Sequence, residues 1–236
     1  MATNILVKEK EVVIPGQILA EGMEYLPGQG AFRENDKLIS KGIGVVNISG
    51  RFVKIIPLSG RYVPKEGDTV IGIVKDMTYS SWFVDIEFVN EAVLSLKEAS
   101  SDFIERGADL NDYFSIGDYI IAKILKVTKQ KAVDITMKGP GLRKITEGRI
   151  ISVSPIKVPR IIGKQGSMIS VIKDATGCFI VVGQNGRIQI RGKSIENEML
   201  AEEAIKKVEA EARTEGLTEI ITKFLKERSK NDIQKA

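Results

Sequence analysis

The chain has 236 residues, 43% hydrophobic and 28% charged, with a formal net charge of +4 and a pI near 9.0. It contains no histidine and a single cysteine, Cys178. This excludes His-based general bases, Ser-His and Cys-His nucleophile pairs, His metal sites and an intrachain disulfide.

The length predicts two or three small domains. The basic balance points to an anionic partner, and local clustering sharpens it: Lys157 to Lys173 contains four Lys/Arg and no acid. Residues 1 to 10 hold no apolar run of signal-peptide length, and nothing approaches the roughly 20 apolar residues of a membrane span. The expectation is a soluble cytoplasmic protein with no membrane partner.

Residues 1–64 read as a small β module. Val12, Val13 and Ile14 precede a Pro15-Gly16 turn, and Leu26-Pro27-Gly28-Gln29-Gly30 is a second turn. Leu38 to Ile48 reads as one strand interrupted by Gly42 and Gly44. Ser49-Gly50 is a hairpin turn, and Phe52, Val53, Ile55 and Ile56 form the return strand. The module is either a docking platform or a purely structural element. Gly28-Gln29-Gly30 has no helix behind it, which removes a phosphate-loop reading.

Residues 65–141 read as five short strands. Gly67-Asp68 opens the first, through Val70, Ile71, Ile73 and Val74. The second alternates: Trp82, Val84 and Ile86 share one face, Phe83 and Asp85 the other. Ala92 to Leu96 is the third. Gly117-Asp118 repeats the opening before the fourth, and Ala132 to Met137 is the fifth. This pattern predicts a small Greek-key barrel of the OB type. It resembles the S1 RNA-binding domain, on Gly67-Asp68-Thr69-Val70-Ile71-Gly72-Ile73-Val74, Trp82-Phe83-Val84-Asp85-Ile86 and Ile116-Gly117-Asp118-Tyr119-Ile120-Ile121-Ala122-Lys123-Ile124. The resemblance implies single-stranded RNA stacked on exposed aromatics with basic residues beside them. Tyr79, Trp82 and Phe83 are the candidate stackers, each with a rival reading as barrel core. Arg106 and Lys123 are candidate phosphate contacts.

Residues 145–236 read as β-α-α-β-β-α. Gly148 to Val153 is a strand, a short helix lies near Arg160 to Gly163, and Ser167 to Ala175 is a second helix. Between them lies Gly163-Lys164-Gln165-Gly166, a turn whose glycines let backbone approach a sugar-phosphate chain. Phe179 to Val182 and Arg187 to Arg191 form strands around Gly183-Gln184-Asn185-Gly186. That segment carries the Asn-Gly hairpin signal and has a rival reading as a second nucleic-acid loop. Ser194 caps a helix whose apolar stripe includes Ile195, Met199, Leu200, Ala204, Ile205 and Val208. Beyond Gly216, Ile220, Ile221, Phe224 and Leu225 suit a short docking helix or a frayed end.

The element order and the position of the Gly-x-x-Gly turn resemble a type I KH domain. The resemblance implies RNA contacts at Gly163, Lys164, Gln165 and Gly166, with Lys157 and Arg160 nearby. Ile161 and Ile162 are read as packing residues.

A β module, an S1 barrel and a single KH domain in this order resemble the cap-subunit family of the archaeal RNA exosome. The residues that carry this are Tyr25 to Gly30, the Trp82 strand, and Ile162 to Ile169 paired with Gly183 to Ile188. Gln189 departs from the pattern, where relatives often hold an aromatic. The resemblance implies a multidomain fold, β-rich plus α+β, and a non-catalytic subunit without cofactor. It further implies three copies on one face of a hexameric phosphorolytic ring, docked by the first module, with the barrels around the RNA entry pore. A transcription or translation factor with S1 and KH domains is the alternative. A self-contained nuclease is disfavoured by the lack of histidine and of a tight carboxylate cluster.

Overall fold

The computed structural model describes residues 4–100, 110–212, 214 and 216–233. The chain divides after Gly60 into two compact units.

The first unit is built from eight short strands: β1 (Asn4–Ile5), β2 (Val12–Val13), β3 (Ile18–Glu21), β4 (Leu26–Pro27), β5 (Ala31–Glu34), β6 (Lys37–Ser40), β7 (Gly44–Ser49) and β8 (Phe52–Pro57). They form two sheets, ordered β1-β3-β6-β5 and β2-β7-β8-β4. Leu19, Leu38, Val46 and Val53 pack between them, fully buried. The expected single strand from Leu38 to Ile48 is in fact two. The chain leaves β6 at Ser40, turns over residues 41–43 and enters the other sheet as β7. The hairpin between β7 and β8 runs in register from Ser49↔Phe52 to Gly44↔Pro57.

The second unit begins with the barrel. Its elements are β9 (Thr69–Thr78), β10 (Ser81–Asp85), β11 (Ala92–Ser95), α1 (Leu96–Ala99), β12 (Tyr119–Val127), β13 (Val133–Thr136) and β14 (Arg143–Ile145). The order is β13-β11-β10-β9-β12-β14, and β13 also pairs with β12, which closes the barrel. Only the β11–β13 pairing is parallel among these neighbours. This is the OB arrangement that the five-strand pattern predicts, with β14, beyond the expected boundary at residue 141, added as a sixth strand on β12. Both Gly-Asp turns fold alike. Gly67 donates to the Ile124 carbonyl (2.9 Å) and Gly117 to the Val74 carbonyl (2.8 Å). Each aspartate then closes its turn, Asp68 on the Lys65 amide (3.2 Å) and Asp118 on the Ser115 amide (2.7 Å). Tyr62, grouped by sequence with the first module, is buried in the barrel core and donates to Asp68 (2.8 Å). Burial, with the negative Asp68 next to it, pushes the Tyr62 phenol well above its ordinary range.

The remainder is β15 (Arg149–Ser152), α2 (Val158–Ile162), α3 (Ser167–Thr176), β16 (Phe179–Val182), β17 (Arg187–Arg191), α4 (Ile195–Ala210) and α5 (Leu217–Ile233). The sheet order is β15-β17-β16, antiparallel throughout. One sheet face packs on the helices through Ile151, Ile180, Ile188 and Ile190 against Ile161, Met168, Ile172 and Ile205. Ser194 caps α4 by accepting from the Asn197 amide (3.3 Å). The stripe on α4 differs from expectation. Ala201, Ala204, Ile205 and Val208 are buried, whereas Ile195 and Met199 are exposed. Within the described part of the tail, Leu217–Ile233 is a helix packed on the domain: Leu217, Ile221 and Leu225 complete the core as one apolar stripe.

Candidate nucleic-acid interface

The Gly163–Gly166 turn joins two helices held firmly from below. Pro159 sits in the first turn of α2, where its missing amide costs nothing. Ile161 is fully buried and Ile162 packs at the edge of the same core. Gly163 has φ 76°, and a Cβ there would lie 2.6 Å from the Met168 amide nitrogen, so only glycine fits. Gln165 is also left-handed (φ 54°). Together these angles turn Lys164 and Gln165 outward, and both are exposed. Neither α2 nor α3 has an acid in its first turn, and no side chain caps α3. The positive helix end is therefore left for an external anion. Arg160 is exposed, and its guanidinium donates to the Thr214 carbonyl (2.9 Å). Lys157 is half-buried at the start of α2. The six predicted positions on this segment thus stand on one short helix-turn-helix unit.

On the barrel the predicted residues separate. Tyr79, in the turn between β9 and β10, is 91% exposed. Phe83 is half-buried on the outer face of β10, opposite Asp76 on β9 and Val93 on β11. Trp82 does not belong with them. It is fully buried, edge-on to Phe114 (5.2 Å, 83°), and its indole N–H donates to the Phe114 carbonyl (3.0 Å). With its face covered and its donor used, Trp82 cannot stack on a base, which corrects its place among the candidates. Lys123 is exposed on β12 opposite Thr69, whereas Phe83 stands opposite Asp76, seven positions along β9. At the strand rise that is about 20 Å, so Lys123 does not flank the aromatics. Arg106 lies outside the described residues, as do Phe103 and Ile104.

Gly183-Gln184-Asn185-Gly186 is the turn between β16 and β17, and it is buried against the barrel. The Asn185 amide oxygen accepts from the Ile71 amide (3.2 Å), and its Nδ2 donates to the carbonyls of Ile71 (2.8 Å) and Ile86 (3.2 Å). The Gln184 amide donates to the Thr69 carbonyl (2.8 Å). The side chain thus replaces a strand partner for β9. There is no room for more: a Cβ on Gly183 would lie 2.5 Å from the Asn185 oxygen and 3.0 Å from the Ile71 nitrogen. The rival reading of this segment as a nucleic-acid loop fails, because its backbone and the Asn185 amide are bonded inside the protein.

Arg187 follows, 5% exposed. It donates to the Asp85 carbonyl (2.7 Å), the Asp85 carboxylate (2.8 Å) and the Glu87 carboxylate (2.6 Å). Burial alone would raise the Asp85 carboxyl. The hydrogen bond and charge of Arg187, the Glu87 amide and the charge of Lys75 outweigh it and hold the group below its usual range. Gln189 is buried too, donating to the Glu147 carbonyl (2.9 Å) and accepting from Arg143 (3.3 Å). Lys144 and Asp118 form a further pair (2.5 Å). Barrel and KH sheet are one polar-latched body. Sequence reasoning missed Arg187, Asp85 and Glu87 in this role. The only local signal was that Arg187 and Gln189 alternate with Ile188 and Ile190, which puts them on the sheet face away from the helices.

Among the described residues no group of three or more His, Cys, Asp or Glu is placed to hold a metal, and no helix is long and apolar enough to cross a membrane.

Three family models match in succession: the exosome RNA-binding protein RRP4 N-terminal domain over residues 10–59, the RRP4 S1 domain over 61–112, and the KH domain over 148–209. The exosome complex component Rrp4 of Thermococcus kodakarensis is 43% identical, over 94% of this chain and 87% of the relative. That of Methanothermus fervidus is 39% identical, over 94% of this chain and 97% of the relative. A crystal structure of a candidate exosome complex RNA-binding protein is 37% identical and superposes with a TM-score of 0.67, covering 73% of this chain and 99% of its own. With these three matches in this order and relatives about 40% identical over most of its length, the chain belongs to the Rrp4 family of exosome complex components.

Proposed function

We propose that this chain is a non-catalytic, RNA-binding cap subunit of a cytoplasmic exosome, which captures single-stranded RNA and passes it to a phosphorolytic ring. The carrying observation is the outward Gly163–Gly166 turn, with Lys157, Arg160 and Lys164 on an acid-free stretch. Backbone of this kind can lie against phosphates while neighbouring surface holds about four nucleotides. Tyr79 and Phe83 supply a second, sequence-tolerant contact by stacking. The latch fixes these two contacts on one body, so RNA ordering costs less at the second than it would on a free domain. Lys123, distant from the aromatics, contributes general attraction.

The first unit supports ring docking. Val12, Val45 and Ile56 stand opposite one another across β2, β7 and β8, and Leu26 faces Phe52 at the other edge. Val12, Leu26, Phe52 and Ile56 are each more than 40% exposed. An apolar row of this kind on one face suits a protein partner. Three copies on the ring are what the resemblance implies and form part of this reading.

The test has two arms. The purified chain should bind single-stranded RNA with an affinity that falls steeply with salt, and should leave 3′-labelled RNA intact in Mg²⁺ and phosphate. Degradation by the chain alone would overturn the non-catalytic reading. A native purification should yield a complex whose mass fits a ring with its cap, and a lone monomer would favour a transcription or translation factor.

A further inference from the structure

Phe179 opens β16 and is 42% exposed. Ile180 points into the helical core, so Phe179 stands on the opposite face of the sheet. Three cations surround its ring. Arg143 of β14 lies 5.0 Å from the ring centroid, Arg191 of β17 5.5 Å and Lys173 of α3 5.9 Å. These residues come from the barrel's last strand, the KH sheet and the KH helix, and the latched body brings them together. Arg191 also faces Glu147 at 3.5 Å. Arg143 bonds the neutral amide of Gln189 and makes no ion pair among the described residues.

A half-exposed aromatic carrying three positive groups attracts a planar group attached to a negative chain. A nucleobase can stack on or beside the ring while flanking phosphates meet the guanidinium and ammonium groups. Arginine also stacks on bases in its own right. The site continues the acid-free basic stretch. Lys173 stands about 10 Å along α3 from Gly166 at the helical rise. We propose that Phe179, with Arg143 and Lys173, is a second RNA contact of the KH half, which receives the strand after the Gly163–Gly166 turn and directs it toward the barrel. The proposal rests on the RNA-binding reading above and adds a site to it.

The full chain is titrated with a fluorescent oligonucleotide of roughly four nucleotides and with one of roughly twelve. Phe179→Ala should weaken the long RNA about tenfold and the short RNA much less, as loss of one stacked base predicts. Phe179→Trp should retain the affinity. Arg143→Gln with Lys173→Gln should lower the slope of log affinity against log salt by about 1.4 for the long RNA, about 0.7 per phosphate lost. Arg143 and Lys173 are half-buried, and glutamine keeps an amide donor at each position, so the charge variants keep the test valid if Phe179→Ala unfolds the domain. Unchanged affinity and slope in all three, with Lys164→Asp still weakening binding, overturns this site and leaves the RNA-binding reading intact. No RNA binding by the unaltered chain overturns both. Variants that bind RNA normally but fail to join the exosome also overturn the proposal, because the patch is then a protein contact.

Discussion

Two turns in this molecule share the spacing Gly-x-x-Gly and have opposite surroundings. Gly163–Gly166 points its middle residues into solvent, carries a lysine, and joins two helix ends without a side-chain cap. Gly183–Gly186 is folded against the barrel, with Asn185 2% exposed and three hydrogen bonds made by its amide. The difference lies in the middle residue and its reach. An asparagine amide offers both donor and acceptor to a strand's backbone, whereas lysine offers a charge that is costly to bury. Glycine spacing describes how tightly a chain turns, and the enclosed residues decide what the turn is for.

The largest expected effect breaks the buried turn. Asn185→Ala strands the Ile71 amide and the Ile86 carbonyl and leaves the Ile71 carbonyl with Arg187 alone (3.3 Å), and should cost about 3 kcal/mol of stability, read from denaturant unfolding. RNA affinity per folded molecule should change little. Next comes the exposed turn. Lys164→Asp with Gln165→Asp should weaken RNA at least tenfold, about 1.4 kcal/mol or more, while the unfolding midpoint stays put, as surface changes usually allow. Loss of ring assembly instead would make this turn a docking surface.

A third pair of variants applies the same contrast to adjacent residues of one strand. Phe83→Ala should lose about 1–2 kcal/mol of RNA affinity through one base stack. Trp82→Phe should leave RNA affinity unchanged and lose about 1 kcal/mol of stability with the indole hydrogen bond. The smallest effect is on acid stability. Asp85 and Asp118 have carboxyls held below their usual range: burial opposes this, and Arg187 and Lys144 outweigh it. Their contribution is therefore complete above the ordinary carboxylate pKa near 4 and is lost as pH falls through the lowered values. Arg187→Met should flatten the acid limb of the stability curve, and an unchanged limb would remove the pair from the account.

Much of this was legible in the sequence. Alternation in Trp82-Phe83-Val84-Asp85-Ile86 correctly assigned the inner and outer faces of β10, and it already paired Trp82 with Val84 and Ile86. Retaining Trp82 as a stacker ignored that register. The two Gly-Asp turns and the Gly163 turn were readable because each is closed by residues within a few positions. The latch was not, since Asn185 bonds a residue 114 positions away and Arg187 one 102 away. A contact of that separation leaves no periodicity. The Phe179 cluster was hidden for the same reason, as Arg143 arrives from another domain. The tail beyond Gly216 was ambiguous because its stripe of Leu217, Ile221 and Leu225 has meaning only against the core it completes.

Native-state amide hydrogen exchange, with and without single-stranded RNA, tests the opposition of the two turns most directly. The account predicts that amides of Lys164 to Ser167 exchange quickly in the free chain and slow when RNA binds. It predicts that the Ile71 amide, held by Asn185, is slow in both states. Fast exchange at Ile71 in the free chain, or RNA protection at Gln184 and Asn185 with none at Lys164 and Gln165, would contradict it.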